Sequence, residues 1–158
     1  VTAVESWAFT TSRCLDRGRL AEILAVVHAA FDHLQPPSSA MRETVADLEA
    51  RLRAGPIFVA AAAGRIVGSI FCAPVGDALY LTRLATLPAW RRRGVGAALL
   101  AAADGEARAA GARRLTLRVR VNLPDNRRYF ESAGFAVTGE GQDPGRARYF
   151  AMQRELNG

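Results

Sequence analysis

A strand that halts at a proline and restarts within a few residues as an alanine-rich helix constrains this chain more than any other feature. The stretch runs from Leu79 to Leu100 and reads LYLTRLATLPAWRRRGVGAALL. Its first half carries apolar residues, Tyr80 and two threonines without helical period until Pro88, the pattern of a strand. Its second half places Val95, Ala98, Leu99 and Ala102 on one helical stripe. Between the two lies Arg91-Arg92-Arg93-Gly94-Val95-Gly96, a glycine-containing turn at a helix N-terminus. The first amides of a helix lack intrahelical partners and carry the positive end of its dipole, and glycine lets an oxyanion approach the backbone. The stretch is therefore an anion site. It is not a dinucleotide fingerprint, because Ala97, Ala98 and Leu99 follow Gly96. Nor is it a Walker loop, because the chain contains no lysine.

Charge narrows the anion further. The formal net charge is +6 and all 21 basic residues are arginine. They are dispersed rather than gathered into a stripe with interleaved aromatics, which argues against nucleic-acid binding as the main role. The clusters Arg91–Arg93 and Arg127-Arg128 suit a small polyanion. At 158 residues one domain with a substantial core is expected. No apolar run approaches a membrane span, and residues near the N-terminus show no signal-peptide core. Cys14 and Cys72 have neither metal nor disulfide spacing, so a reducing cytoplasm fits, with no metal and no membrane partner.

In chain order, residues 5 to 12 suggest an edge strand. A helix capped by Asp16 follows to about Leu34, with Leu20, Ile23, Leu24, Val27 and Phe31 in period. His28 and His33 on it read as surface residues. Gln35-Pro36-Pro37-Ser38-Ser39 breaks that helix, and Ser39 is expected to cap a second one ending at Gly55-Pro56. Residues 57–62 and 66–73 form a hairpin, and residues 74–78 turn into the strand 79–87. The helix from Gly94 to about Ala110 carries Asp104 and Arg108 four apart and a mid-helix Gly105, for which close packing against the sheet is one reason. Strand 113–121 alternates Leu115, Leu117, Val119 and Val121 with polar residues. A short helix opening at Pro124 ends at Ala133-Gly134, Phe135 starts a strand, and residues 146–156 close the sheet.

Arg91, Gly94 and Gly96 match the [Q/R]-x-x-G-x-[G/A] loop that GCN5-related N-acetyltransferases use for acetyl-CoA, and the surrounding order of elements resembles that family. Residues 126–135, NRRYFESAGF, resemble its second block, commonly written N…LYEKLGF. The likeness covers about residues 57 to 156. It implies an α/β fold of the α+β type: a mixed, mostly antiparallel, V-shaped sheet flanked by helices, with strands 79–87 and 113–121 splayed around acetyl-CoA. It further implies that the backbone of Leu84, Ala85 and Thr86 pairs with the pantetheine arm. Amides from Arg92 through Arg93, Gly94, Val95 and Gly96 to Ala97 would hold the pyrophosphate, with Arg91 and Asn126 nearby. The helix pair at the N-terminal end would line the acceptor side. The activity implied is acetyl transfer to an amine-bearing acceptor, and a homodimer is compatible with it.

One departure matters. Aligning Gly134-Phe135 with the family's Gly-Phe puts Phe130 where the usual general-acid tyrosine stands. Phenylalanine cannot donate a proton, so Tyr129, about 100° round the helix, is the catalytic candidate, with packing or an adenine-side contact as its alternative. Asn122 is the alternative to Asn126. Strand 79–87 contains no carboxylate, and neither Asp77 nor Glu43 stands out as a general base. An acyl-CoA-binding or regulatory module that keeps the fold without turnover is the competing reading.

Overall fold

The structure is a computed structural model, and it describes residues 6–156. Its elements are β1 (Thr10–Arg13), α1 (Leu20–Phe31), α2 (Val45–Ala54), β2 (Ile57–Ala62), β3 (Arg65–Val75), β4 (Ala78–Thr86), α3 (Val95–Ala109), β5 (Arg114–Arg120), α4 (Pro124–Ser132), β6 (Ala136–Gln142) and β7 (Arg148–Glu155). The seven strands form one sheet in the order β1-β2-β3-β4-β5-β7-β6, antiparallel except at β4–β5.

That parallel pairing is short. It joins Ala78, Leu79 and Tyr80 to Arg114, Leu115 and Thr116, and then stops. Beyond Tyr80 the two strands diverge, β4 staying on β3 and β5 on β7. The sheet is therefore V-shaped, as the resemblance implies. A register shift between the Ser69–Ala85 and Phe71–Thr82 pairs marks a bulge in β4, and Arg83 there adopts φ 53°. A bulge re-aims side chains and disturbs the ladder, here at the fork of the V.

Apolar clusters cover both faces. On one, Val95, Leu99 and Ala103 of α3 pack on Val67, Ile70, Leu115 and Leu117. On the other, Ile23 and Val27 of α1 and Leu48 of α2 pack on Ile57, Ile66 and Phe71. Each such leucine or isoleucine contributes on the order of 1.5–3 kcal/mol by leaving water. Gly68 sits under α3: a Cβ there would come 2.6 Å from Val95 Cγ1 and 3.0 Å from the Ala85 carbonyl. Absence of a side chain thus sets how closely the start of α3 approaches β3.

Several boundaries differ from the sequence reading. The N-terminal strand covers Thr10–Arg13, while residue 5 lies outside the described residues. Asp16 does cap, accepting from the Gly18 amide at 2.7 Å, but a 3-10 turn precedes α1, which ends at Phe31. Ser39 is not the cap of the second helix. Ser38 caps a 3-10 turn over Ser39–Arg42, Glu43 is extended, and Thr44 caps α2 in a capping box with Asp47. The S/T-x-x-D box outcompetes the earlier serine because it satisfies two amide donors reciprocally. Pro74 lies within β3 rather than in a turn, since β3 pairs with β4 as far as Val75–Ala78. Gly105 is exposed with nothing within 4 Å of a Cβ, so packing does not explain it.

Candidate active site

The loop from Arg91 to Gly94 brings α3 in with its amides free. Arg92 adopts φ 61° and Gly94, the N-cap, φ 83°. Left-handed backbone suits glycine because it has no Cβ penalty. The hydrogen bonding of α3 opens with the Ala98 amide donating to the Gly94 carbonyl at 3.0 Å. The amides of residues 92–97 meet no acceptor among the described residues, no side chain caps the helix, and its first turn contains no acid. Orphan donors at a helix N-terminus with no internal anion make a cradle for an external one.

The cradle opens into a cavity of about 560 Å³ that Arg91, Arg92, Gly94, Val95, Gly96 and Ala97 line together with Leu84, Thr86, Asn126 and Tyr129. The fork of the sheet holds a second hollow of about 280 Å³. Phe31, Leu34, Leu84, Leu123, Asn126 and Phe130 line both. The two are thus halves of one cleft with a mostly apolar neck. Backbone direction at that neck follows from the ladder. The Ala85 carbonyl turns toward Gly68 of β3, and the Leu87 amide donates to the Val67 carbonyl at 2.9 Å. By strand alternation, the backbone of Leu84 and Thr86 faces the open side.

Not every residue singled out from the sequence lines this cleft. Ala85 is 1% exposed and belongs to the core under α1. Arg93 turns its guanidinium onto the Trp7 ring, 3.2 Å from the centroid, and its Nε contacts the Ala89 carbonyl at 3.5 Å. Asn122 donates to the Gln35 carbonyl at 3.1 Å, pinning the proline-rich loop. Asn126 is the asparagine that lines both hollows. The Tyr129 hydroxyl lies 3.0 Å from the Cβ position at Gly96, and burial raises its pKa above the usual tyrosine range. Phe130 packs edge-to-face on Tyr129 (centroids 5.2 Å) and on Phe135 (5.7 Å) at the neck. Cys72 is buried, and desolvation pushes its thiol up to about 12, so it is no nucleophile. Among the described residues no group of three or more His, Cys, Asp or Glu could hold a metal, and no helix is long and apolar enough to cross a membrane.

A charged network behind the fork was not assigned a role from the sequence. Glu43, with its side chain 10% exposed, takes Arg51 Nε on one oxygen and Arg83 Nε on the other, each at 2.5 Å. Arg83 also donates to Ser39 Oγ at 3.1 Å, and Arg51 to Thr82 Oγ1 at 3.3 Å. Glu43 reaches this position because the chain is extended between the 3-10 turn and α2. The available signal was Arg83 itself, the one charge inside the strand LYLTRLAT.

The sequence profile of the Acetyltransferase (GNAT) family matches residues 23–135. A search of curated proteins gives no significant match. Solved structures share the fold. PaiA N-acetyltransferase from Thermoplasma acidophilum, in complex with coenzyme A, superposes with a TM-score of 0.80 at 16% identity, covering 94% of this chain and 99% of that one. The ribosomal-protein-S18-alanine N-acetyltransferase from Escherichia coli gives 0.76 at 22% identity, covering 96% and 97%. The ribosomal-protein-alanine N-acetyltransferase from Brucella melitensis gives 0.78 at 23%, covering 93% and 99%. With a profile that spans most of the chain from α1 to the end of α4, the protein belongs to the GNAT acetyltransferase family.

Proposed function

We propose that the protein is an N-acetyltransferase that moves the acetyl group of acetyl-CoA to a primary amine by direct attack within one cleft. The observation that carries this reading is the row of acceptor-free amides at 92–97 opening into the same cleft as the unpaired side of β4. The pyrophosphate would sit on those amides beside Arg91 and Arg92. The pantetheine arm would run along the outward backbone of Leu84 and Thr86, with Ala85 fixing the strand from the β3 side. That the Thermoplasma acidophilum relative was solved with coenzyme A supports the assignment.

The thioester then lies at the neck between Leu84 and Phe130, and the amine enters from the second hollow. A neutral amine adds its lone pair to the carbonyl carbon. The C–N bond forms, the C–S bond breaks, the nitrogen gives its proton to water, and the sulfur leaves as CoA thiolate. An outward strand amide at Leu84 would stabilise the oxyanion, and holding both reactants at one mostly apolar neck would supply much of the acceleration. Tyr129 stands at the anion loop, so we assign its hydroxyl a contact with bound acetyl-CoA there. A thiolate is a tolerable leaving group near neutral pH, its thiol having a pKa of roughly 8.5, so solvent can supply the final proton.

Incubation of the protein with acetyl-CoA and a panel of primary amines tests this. The expected result is free CoA thiol and acetylated amine in equal amounts, both requiring the amine. Tight acetyl-CoA binding without amine-dependent thiol release would instead make the protein a binding module.

A further inference from the structure

The hollow beyond the neck is walled by four arginines, and they are not equally neutralised. Arg83 on the β4 bulge is paired with Glu43 at 2.5 Å. Arg118 lies over the Tyr149 ring, 4.3 Å from the centroid, and reaches Asp143 at 3.5 Å. Arg120 and Arg146 differ. Arg120, at the end of β5, donates to the Pro36 carbonyl and has no carboxylate within ion-pair distance among the described residues. The Arg146 side chain, from the β6–β7 turn, has no ion-pair or hydrogen-bond partner among them either.

The two guanidinium groups feel each other. Burial first, and then the charge of Arg146, lower the pKa of Arg120. Two like charges on one partly desolvated hollow repel unless an anion joins them. A guanidinium also offers planar paired donors that match a carboxylate, and Arg120 has spent few of its five on Pro36. The hollow is too small for a folded partner at about 280 Å³, and its other end is the neck where transfer would occur.

We infer that the acceptor is a small amino-carboxylate, its anionic end held by Arg120 and Arg146 and its amine directed to the Leu84–Phe130 neck. This rests on the transferase reading above, and it adds a selection for acidic amines that the cofactor half of the cleft does not impose. Arg83 and Arg118 are held in place by their own acids, so they shape the hollow while the unpaired arginines choose the ligand. Asp143, paired to Arg118, keeps that side from adding a third free cation.

The test compares α-, β- and γ-amino acids with their carboxamides, which keep the amine and lose the negative charge. With acetyl-CoA saturating, the wild-type protein should favour an acid over its amide at least about tenfold in kcat/KM, the worth of one charge-assisted hydrogen bond. Arg120→Gln and Arg146→Gln should each bring that ratio close to one, through KM for the acid, without moving the KM for acetyl-CoA. Arg146→Glu should favour the amide. An unaltered acid-to-amide ratio in the variants, or amides used as well as acids by the wild type, would overturn the inference. If no amine is turned over although acetyl-CoA binds, the transferase reading fails instead. In that case calorimetry of the amino acids and amides against CoA-loaded protein still reads the inference: charge-selective binding lost in Arg146→Gln supports it, and equal binding of acid and amide overturns it.

Discussion

The Tyr129 hydroxyl stands 3.0 Å from the point where a Cβ on Gly96 would project, so α4 touches the anion loop through one phenol and one missing side chain. Neighbouring Phe130 meanwhile lines the neck between the two hollows. One residue of offset on α4 thus separates a hydroxyl beside the start of α3 from a ring at the neck of the cleft, as the helical step of about 100° requires.

That separation predicts how Tyr129→Phe behaves. Loss of one hydroxyl contact to bound acetyl-CoA should raise its KM by a few-fold, equivalent to about 1 kcal/mol, with kcat nearly unchanged. Steady-state kinetics with a turned-over amine checks this. A fall in kcat of about 10²-fold or more at constant KM would instead identify Tyr129 as the general acid.

Gly68 offers a test of how the anion loop is seated. Its would-be Cβ collides with Val95 Cγ1 and crowds the Ala85 carbonyl, so Gly68→Ala must push the start of α3 off β3. Overpacking of this kind costs about 1–3 kcal/mol. Thermal unfolding should show a lower Tm, and acetyl-CoA affinity should drop with it because the 92–97 amides move. An unchanged Tm would mean that the sheet and α3 are less closely packed than described.

The sequence was most legible where structure is local. The Arg91–Gly96 loop, the alternation of Leu115, Leu117 and Val119, and the Pro124 helix start all appear where the residues indicate. Position within the V was harder to read. Nothing local tells that Glu43 turns inward between Arg51 and Arg83, which lie 8 and 40 positions away in the chain. Nor does the sequence reveal that Arg120 and Arg146 meet across a hollow, or that Arg93 leaves its neighbours to stack on Trp7. Side-chain direction at these sites is set by tertiary contacts, and a run of three arginines looks uniform until one of them finds a ring.

The pH dependence of stability should carry the mark of Glu22. Its carboxylate accepts from the Ile66 amide at 2.7 Å and from Arg19 at 2.8 Å, and the backbone bond is the main cause that holds its pKa below the ordinary glutamate value. A group depressed in the folded state adds stability that is complete above its unfolded pKa, about 4.3, and is lost as pH falls through the lower folded value. Chemical denaturation between about pH 6 and pH 3 should therefore show wild type losing stability faster than Glu22→Gln, which itself starts lower by about 1 kcal/mol because a charge-assisted bond is weakened. Parallel pH profiles for the two proteins would remove Glu22 from this role.

Calorimetric titration of CoA into wild-type protein, Gly96→Val and Arg93→Ala reads the anion cradle itself. If the backbone at 92–97 is the phosphate cradle, valine at position 96 fills the space under Tyr129 and should abolish measurable binding, whereas Arg93→Ala, whose guanidinium rests on Trp7, should bind as wild type does. Undiminished CoA affinity in Gly96→Val, in protein that circular dichroism shows to be folded, would mean that CoA phosphates do not bind at 92–97.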